Sequence, residues 1–239
     1  TIMSGKWHLT KNDLDQWPLK RGFDNFYGLI SGAANYFKSE YPGLIFEGNE
    51  KLNIGDENYY TTDAFTDKAI EYIDKVKSEN SEKPFFLYLS YNAPHWPLQA
   101  PKEDIDKYRG NYLKGWENLR EERYKRMIEM GLIDSSWDLS YDDIVSWNSL
   151  SKEKRKEMDL RMAIYAAMID RMDQNIGRLI NNLKSKGLYD NTIIMFLNDN
   201  GACAENQMLG SGPKEQLETK EGYLLSYGKA WANASNTPY

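Results

Sequence analysis

The sequence predicts an α/β fold, a mostly parallel sheet flanked by helices, on three observations. Two short apolar runs, residues 84–90 and 192–197, have the near-continuous hydrophobicity of strands buried on both faces. Each follows a helical pattern, and each stops abruptly at polar loop residues. Helix, turn, apolar strand and polar strand end make the repeating unit of such folds, whose ligands sit outside the carboxyl ends of the strands. Function is therefore expected in the two following loops, one carrying His95 and the other Asp199 and Asn200.

The elements follow in order. Thr62-Asp63 is a candidate N-cap for an amphipathic helix to about Ser78, with Phe65, Ala69, Ile70, Ile73 and Val76 on one face. After the strand at 84–90, Pro94, Pro97 and Pro101 forbid regular structure and stiffen the path around His95. Residues 102–126 mix eight basic with six acidic side chains, the composition of a solvated helical face. Residues 134–150 show no period and read as a surface insertion. A long helix starts near Ser151, carries Leu160, Ile164, Ala167, Met168, Met172, Ile176, Leu179, Ile180 and Leu183 on one face, and ends at Gly187. No repeat, low-complexity tract or linker interrupts residues 1–239, so no internal domain boundary is expected.

Composition removes several function classes. The 239 residues are 41% apolar and 28% charged, as suits a folded domain or a large piece of one. A net charge of −6 offers no electrostatic footprint for phosphate backbones, so nucleic acid is not an expected partner. One cysteine, Cys203, excludes a cystine framework. The longest apolar stretches fall well short of the roughly 20 residues of a membrane span. The first ten residues lack the regions of a signal peptide, no Met stands at position 1, and residues 236–239 are loop-like, so the chain reads as an internal piece trimmed at both ends.

The chemistry-bearing residues are few. Asp199 and Asn200 end an apolar run before Gly201, and a carboxylate beside an amide oxygen suits a hard cation such as Ca²⁺ or Mg²⁺, although a plain turn has the same composition. Lys6 and His8, two apart in Gly5-Lys6-Trp7-His8, share one face of an extended backbone. A lysine there is a fixed cation for an oxyanion and a histidine a proton-transfer group, against the alternatives of a solvated lysine and a structural histidine. His95 sits in the proline-braced loop. Tyr36, Phe37, Tyr91 and Trp96 could stack on a sugar or pack a core.

Together these segments resemble the sulfatases of the alkaline-phosphatase-like superfamily. Gly5-Lys6-Trp7-His8-Leu9 is similar to the second sulfatase signature, and Pro84 through Pro101 resembles the strand and loop that present the family's second catalytic histidine. The segments from Arg21 to Gly28, Tyr165 to Gln174, Asp190 to Glu205 and Trp231 to Pro238 follow the arylsulfatase pattern in order. The resemblance implies an alkaline-phosphatase-like fold, here a partial domain with residues 1–239 as the central part of the catalytic domain. It implies hydrolysis of sulfate monoesters, aryl or carbohydrate, with Asp199 and Asn200 as Ca²⁺ ligands (Mg²⁺ as the alternative) and Lys6 near the sulfate. His8 would work on the covalent intermediate and His95 near the sulfate and leaving oxygen.

The family's nucleophile is a formylglycine hydrate made from Cys or Ser in a Cys/Ser-x-Pro-x-Arg motif. Cys203 lies in Ala202-Cys203-Ala204, without proline or arginine at the required offsets, and is not that precursor. The isolated 239 residues are accordingly expected to be inactive. The resemblance also implies a sulfated small molecule or glycan as partner, and an exported protein, periplasmic, secreted or lysosomal. Two other readings stand beside it: a phosphate mono- or diesterase of the same superfamily, and a homologue that binds anionic glycans without turnover.

Overall fold

The computed structural model describes residues 1–10, 13–40, 43–141, 143–204 and 207–239. The chain divides into two compact units, residues 1–99 with 168–194, and residues 100–167 with 195–239.

The first unit holds a five-stranded sheet: β1 (Ile2–Lys6), β2 (Asn25–Leu29), β3 (Ile45–Glu47), β4 (Glu50–Lys51) and β5 (Leu87–Ser90), in the order β4-β3-β2-β1-β5. β1 runs parallel to both β2 and β5, whereas β3 and β4 form an antiparallel edge. The expected parallel sheet is thus present in β2-β1-β5, with β5 inside the expected run 84–90. Side chains alternate between the faces. Ile2, Tyr27, Leu29, Leu87 and Leu89 pack with Phe65, Tyr72, Ile73 and Val76 of helix α1 (Thr61–Glu79), together with Leu179 and Leu183. Met3, Phe26 and Ile30 face the other way, against Trp17, Leu19 and Phe23.

Helix α1 realises the expected amphipathic pattern but begins one residue earlier than its candidate cap. Tyr60 occupies the N-cap without capping the helix through its side chain, and its hydroxyl donates to the Gln99 carbonyl at 2.9 Å. Asp63 lies in the first turn, where exposed N–H groups favour a carboxylate. There it takes two bonds from Arg171, 2.8 and 2.6 Å, and one from Asn175 at 2.7 Å. Two elements in the second unit, α2 (Lys102–Asp106) and α3 (Trp116–Glu129), carry the charged stretch, followed by the long helix α4 (Lys152–Ser185) and by α5 (Gly228–Ser235). Gly187, at φ +66°, closes α4 as its sequence position requires.

In the second unit Trp116 meets Trp147 and Trp231 edge to face, with centroids 4.8 and 5.4 Å apart, Trp147 and Trp231 are tilted at 5.8 Å, and the Trp231 indole donates to the Met158 carbonyl at 2.9 Å. The insertion 134–150 is largely exposed, as expected, but Trp147 anchors it to that cluster. Arg161, 2% exposed, donates to the carbonyls of Ser211, Ser226 and Gly212 at 2.6–2.8 Å and so ties two loop segments to α4.

One expected strand does not form. Residues 192–197 pair with no strand among the described residues, and Ile193 and Phe196 expose 89% and 70% of their surface. An apolar run carries the side chains of a buried strand, but strand formation also needs a neighbour to exchange N–H and C=O bonds, and the described sheet ends at β5.

Candidate active site

Lys6 ends β1, and the adjacent parallel β5 ends at Ser90, so Lys6, His8 and the His95 loop leave the sheet at one edge. Gly5 opposes Ser90 in register, and a Cβ on Gly5, whose φ is +123°, would lie 1.9 Å from the Ser90 carbonyl oxygen. Only glycine lets the two strands approach this closely. The Ser90 hydroxyl then donates to the Lys6 carbonyl at 2.8 Å, pinning the lysine's backbone from the β5 side.

Past the strand end, β1 keeps following β2. Trp7 donates its N–H to the Leu29 carbonyl at 2.9 Å and His8 donates to the Ile30 carbonyl at 3.1 Å. Trp7 turns toward the Phe23 face, ring to ring at 6.2 Å, with its indole donating to Gln16. His8 departs from the extended backbone of the sequence reading. Its φ is +52°, in the left-handed region, so the simple two-apart alternation with Lys6 ends there. His8 is exposed and Lys6 half-buried.

His95 is held from several sides. Its N–H donates to Asn92 at 2.9 Å, and its carbonyl accepts from the buried Tyr36 hydroxyl at 2.8 Å. Its Nδ1 lies 2.7 Å from the Trp96 carbonyl, which can only accept. Nδ1 therefore carries a proton, which leaves Nε2 as the nitrogen where the ring takes up or releases its other proton. Tyr36 also donates its own N–H to the Gln99 side chain at 2.9 Å and stacks on Tyr60 at 5.5 Å. Beneath the loop, burial above all pushes the Tyr91 phenol up to about 12, with Thr66 in hydrogen-bond contact at 2.5 Å. Of the four aromatics singled out as possible sugar platforms, Tyr36 is fully buried and serves the loop, whereas Phe37, Tyr91 and Trp96 are half-buried.

Asp199 and Asn200 belong to the second unit, and both are exposed. The Asn200 amide donates to the Gly201 carbonyl at 2.7 Å. Gly201 does not use a positive φ. A Cβ there would meet the Asn236 side chain at 2.4 Å, and that amide brackets Ala202 by accepting from its N–H and donating to its carbonyl, 2.8 and 2.9 Å.

Comparison with known proteins decides the family, because the Sulfatase family model matches residues 1–239. The chain belongs to the sulfatase family. It is 35% identical to an uncharacterised sulfatase of Schizosaccharomyces pombe, covering all of this chain and 47% of that protein. To an arylsulfatase of Klebsiella aerogenes it is 33% identical, over all of this chain and 54% of the relative. The chain thus spans about half the length of these curated relatives. Among solved structures, Ps i-CgsB in complex with a neocarrahexaose superposes with a TM-score of 0.51 at 27% identity, over 80% of this chain and 35% of that one. The alkaline-phosphatase-like expectation agrees with these sulfatase neighbours.

Two features of a sulfatase centre are thin in this sequence. The motif Cys/Ser-x-Pro-x-Arg is not present, and its nearest approach, Ser211-Gly212-Pro213-Lys214-Glu215, ends in glutamate where arginine is needed. Asp199 and Asn200 fit a hard cation in kind, but two donors fall short of the roughly six to eight oxygens Ca²⁺ takes. Among the described residues no group of three or more His, Cys, Asp or Glu is gathered as a metal site. Tyr36, Tyr60, Gln99 and Asn236 are the supports that sequence reasoning missed. Each acts on a partner 34 to 63 residues away, beyond any local pattern.

Proposed function

We propose that the whole protein hydrolyses sulfate monoesters of aryl or carbohydrate alcohols, and that residues 1–239 are part of its catalytic domain. The observation that carries this reading is the exit of Lys6, His8 and the His95 loop from one edge of β1 and β5, in a chain that matches the sulfatase family throughout. Carbohydrate esters are favoured by the likeness to a structure holding a neocarrahexaose and by a relative named N-acetylglucosamine-6-O-sulfatase, 26% identical over 84% of this chain.

The roles follow from chemistry. Sulfuryl transfer spreads negative charge over the non-bridging oxygens, and the Lys6 ammonium stabilises it electrostatically. With Nδ1–H committed to the Trp96 carbonyl, His95 exchanges its working proton at Nε2, where it can donate to the departing alcohol oxygen. His8, exposed beside the same strand edge, serves as the second proton-transfer group. A formylglycine hydrate would supply the nucleophile and Ca²⁺ would supply charge neutralisation, with Asp199 and Asn200 among its oxygen ligands. Without the nucleophile motif, residues 1–239 alone turn over no substrate. We also propose that the protein works outside the cytoplasm.

The test is release of sulfate from aryl and sugar sulfates by the full-length protein, beside matched phosphate esters. Sulfate release that His95→Gln abolishes supports the proposal. Preferential phosphate release would make the protein a phosphoesterase, and tight binding of sulfated glycans without turnover would make it a binding homologue; either result overturns it.

A further inference from the structure

The loop that leaves β2 contributes to the placement of His8. His8 is pinned at its backbone by the bond to Ile30, and its left-handed φ aims the imidazole at the turn two residues beyond. At that turn stands Gly32. A Cβ placed on it would lie 2.4, 2.5 and 2.9 Å from Cε1, Nε2 and Nδ1 of His8, and these ring atoms are its three nearest neighbours. The imidazole therefore lies flat against bare backbone, in space that any side chain at position 32 would occupy. Gly32 is not among the positive-φ glycines, so backbone conformation does not demand glycine here.

We propose that Gly32 is a positioning residue for His8: its missing side chain is the seat that fixes the imidazole at the strand edge. This rests on the reading of His8 as a proton-transfer group. A methyl at position 32 overlaps the far end of the imidazole, and the cheapest relief is rotation of the ring about its χ angles while the His8 backbone stays bonded to Ile30. The substitution therefore displaces the working nitrogens and leaves the fold in place.

The experiment compares Gly32→Ala with Gly177→Ala, a helical glycine of α4 with nothing within 4 Å of an added Cβ. In the full-length protein the Cε1–H NMR signals of His8 and His95 are assigned by their loss in His8→Gln and His95→Gln variants. Gly32→Ala is expected to move or broaden the His8 signal and leave that of His95 in place, whereas Gly177→Ala moves neither. In the full-length protein kcat falls by roughly 100-fold, the scale of a misplaced catalytic group, with KM held. An unmoved His8 signal in folded Gly32→Ala overturns the proposal even if the protein is an active sulfatase. A moved signal supports the contact even if no sulfate is released. If Gly32→Ala does not fold, adding His8→Ala is expected to restore folding, and failure of that rescue overturns the proposal.

Discussion

The buried hydroxyl of Tyr36 donates to the backbone carbonyl of His95 at 2.8 Å. Tyr36→Phe removes this one bond and keeps the ring stacked on Tyr60. A hydrogen bond of this kind, in a partly buried setting, contributes about 0.5–1.5 kcal/mol. Urea denaturation should register a loss in that range, and kcat of the full-length protein should fall while KM holds, because His95 loses its register. Unchanged stability would mean that another donor takes over the carbonyl.

Arg171 and Asp63 join α4 to α1 by two parallel charge-assisted bonds in a partly exposed setting. The planar fork matches the carboxylate, and Asn175 completes the arrangement. Arg171→Met is expected to destabilise the protein by about 2 kcal/mol, the range for hydrogen bonds to charged groups. Arg171→Lys recovers only part of that, since an ammonium cannot bond both oxygens in the same geometry. Equal midpoints for the two variants in denaturant titrations would contradict a role for the fork.

Asn236 holds Ala202 through both ends of its amide, just beyond Asp199 and Asn200. Asn236→Asp keeps the acceptor for the Ala202 N–H but turns the donor facing the Ala202 carbonyl into a second acceptor. The expected result is faster proteolysis near residue 202, without loss of the tryptophan cluster's near-ultraviolet circular dichroism signal. Unaltered cleavage would show that the loop is held elsewhere.

What the sequence made legible was local. Gly5-Lys6-Trp7-His8 and the proline-rich loop around His95 announce their chemistry within a few residues, and the α1 and α4 patterns follow from one side-chain period each. The contacts that place those groups are not local. Tyr36 reaches Gln99, and Gly32 meets His8, through register and loop paths that no window of sequence contains. The left-handed His8 overrode an alternation argument valid only for extended backbone. The run 192–197 failed as a strand for a related reason, since apolar composition records burial sought, not a partner found.

That run yields its own prediction. Phe196, 70% exposed, contributes little to a core, and an exposed apolar stretch without charge is a site for association. Phe196→Lys should leave the thermal midpoint of residues 1–239 within about 0.5 kcal/mol equivalent, as surface changes do. It should also lower light scattering at high concentration. A large stability loss would show that the segment packs against the protein in solution.

Alkaline unfolding follows from the buried phenols. Burial, as the main cause, pushes Tyr91 and Tyr112 up to about 12, and raises Tyr59, Tyr72 and Tyr227 further, with the Glu47 carboxylate adding to the effect on Tyr72. An unfolded chain ionises its tyrosines near pH 10. Between about 10 and 12 the unfolded state therefore sheds protons that the folded state keeps, and each such phenol lowers stability by about 1.4 kcal/mol per pH unit. This contribution is complete below pH 10 and is lost as the pH rises through the folded values. Tyrosinate absorbance should rise together with loss of the circular dichroism signal, in one cooperative step. Gradual ionisation near pH 10 in a protein that stays folded would contradict the desolvation of these five phenols.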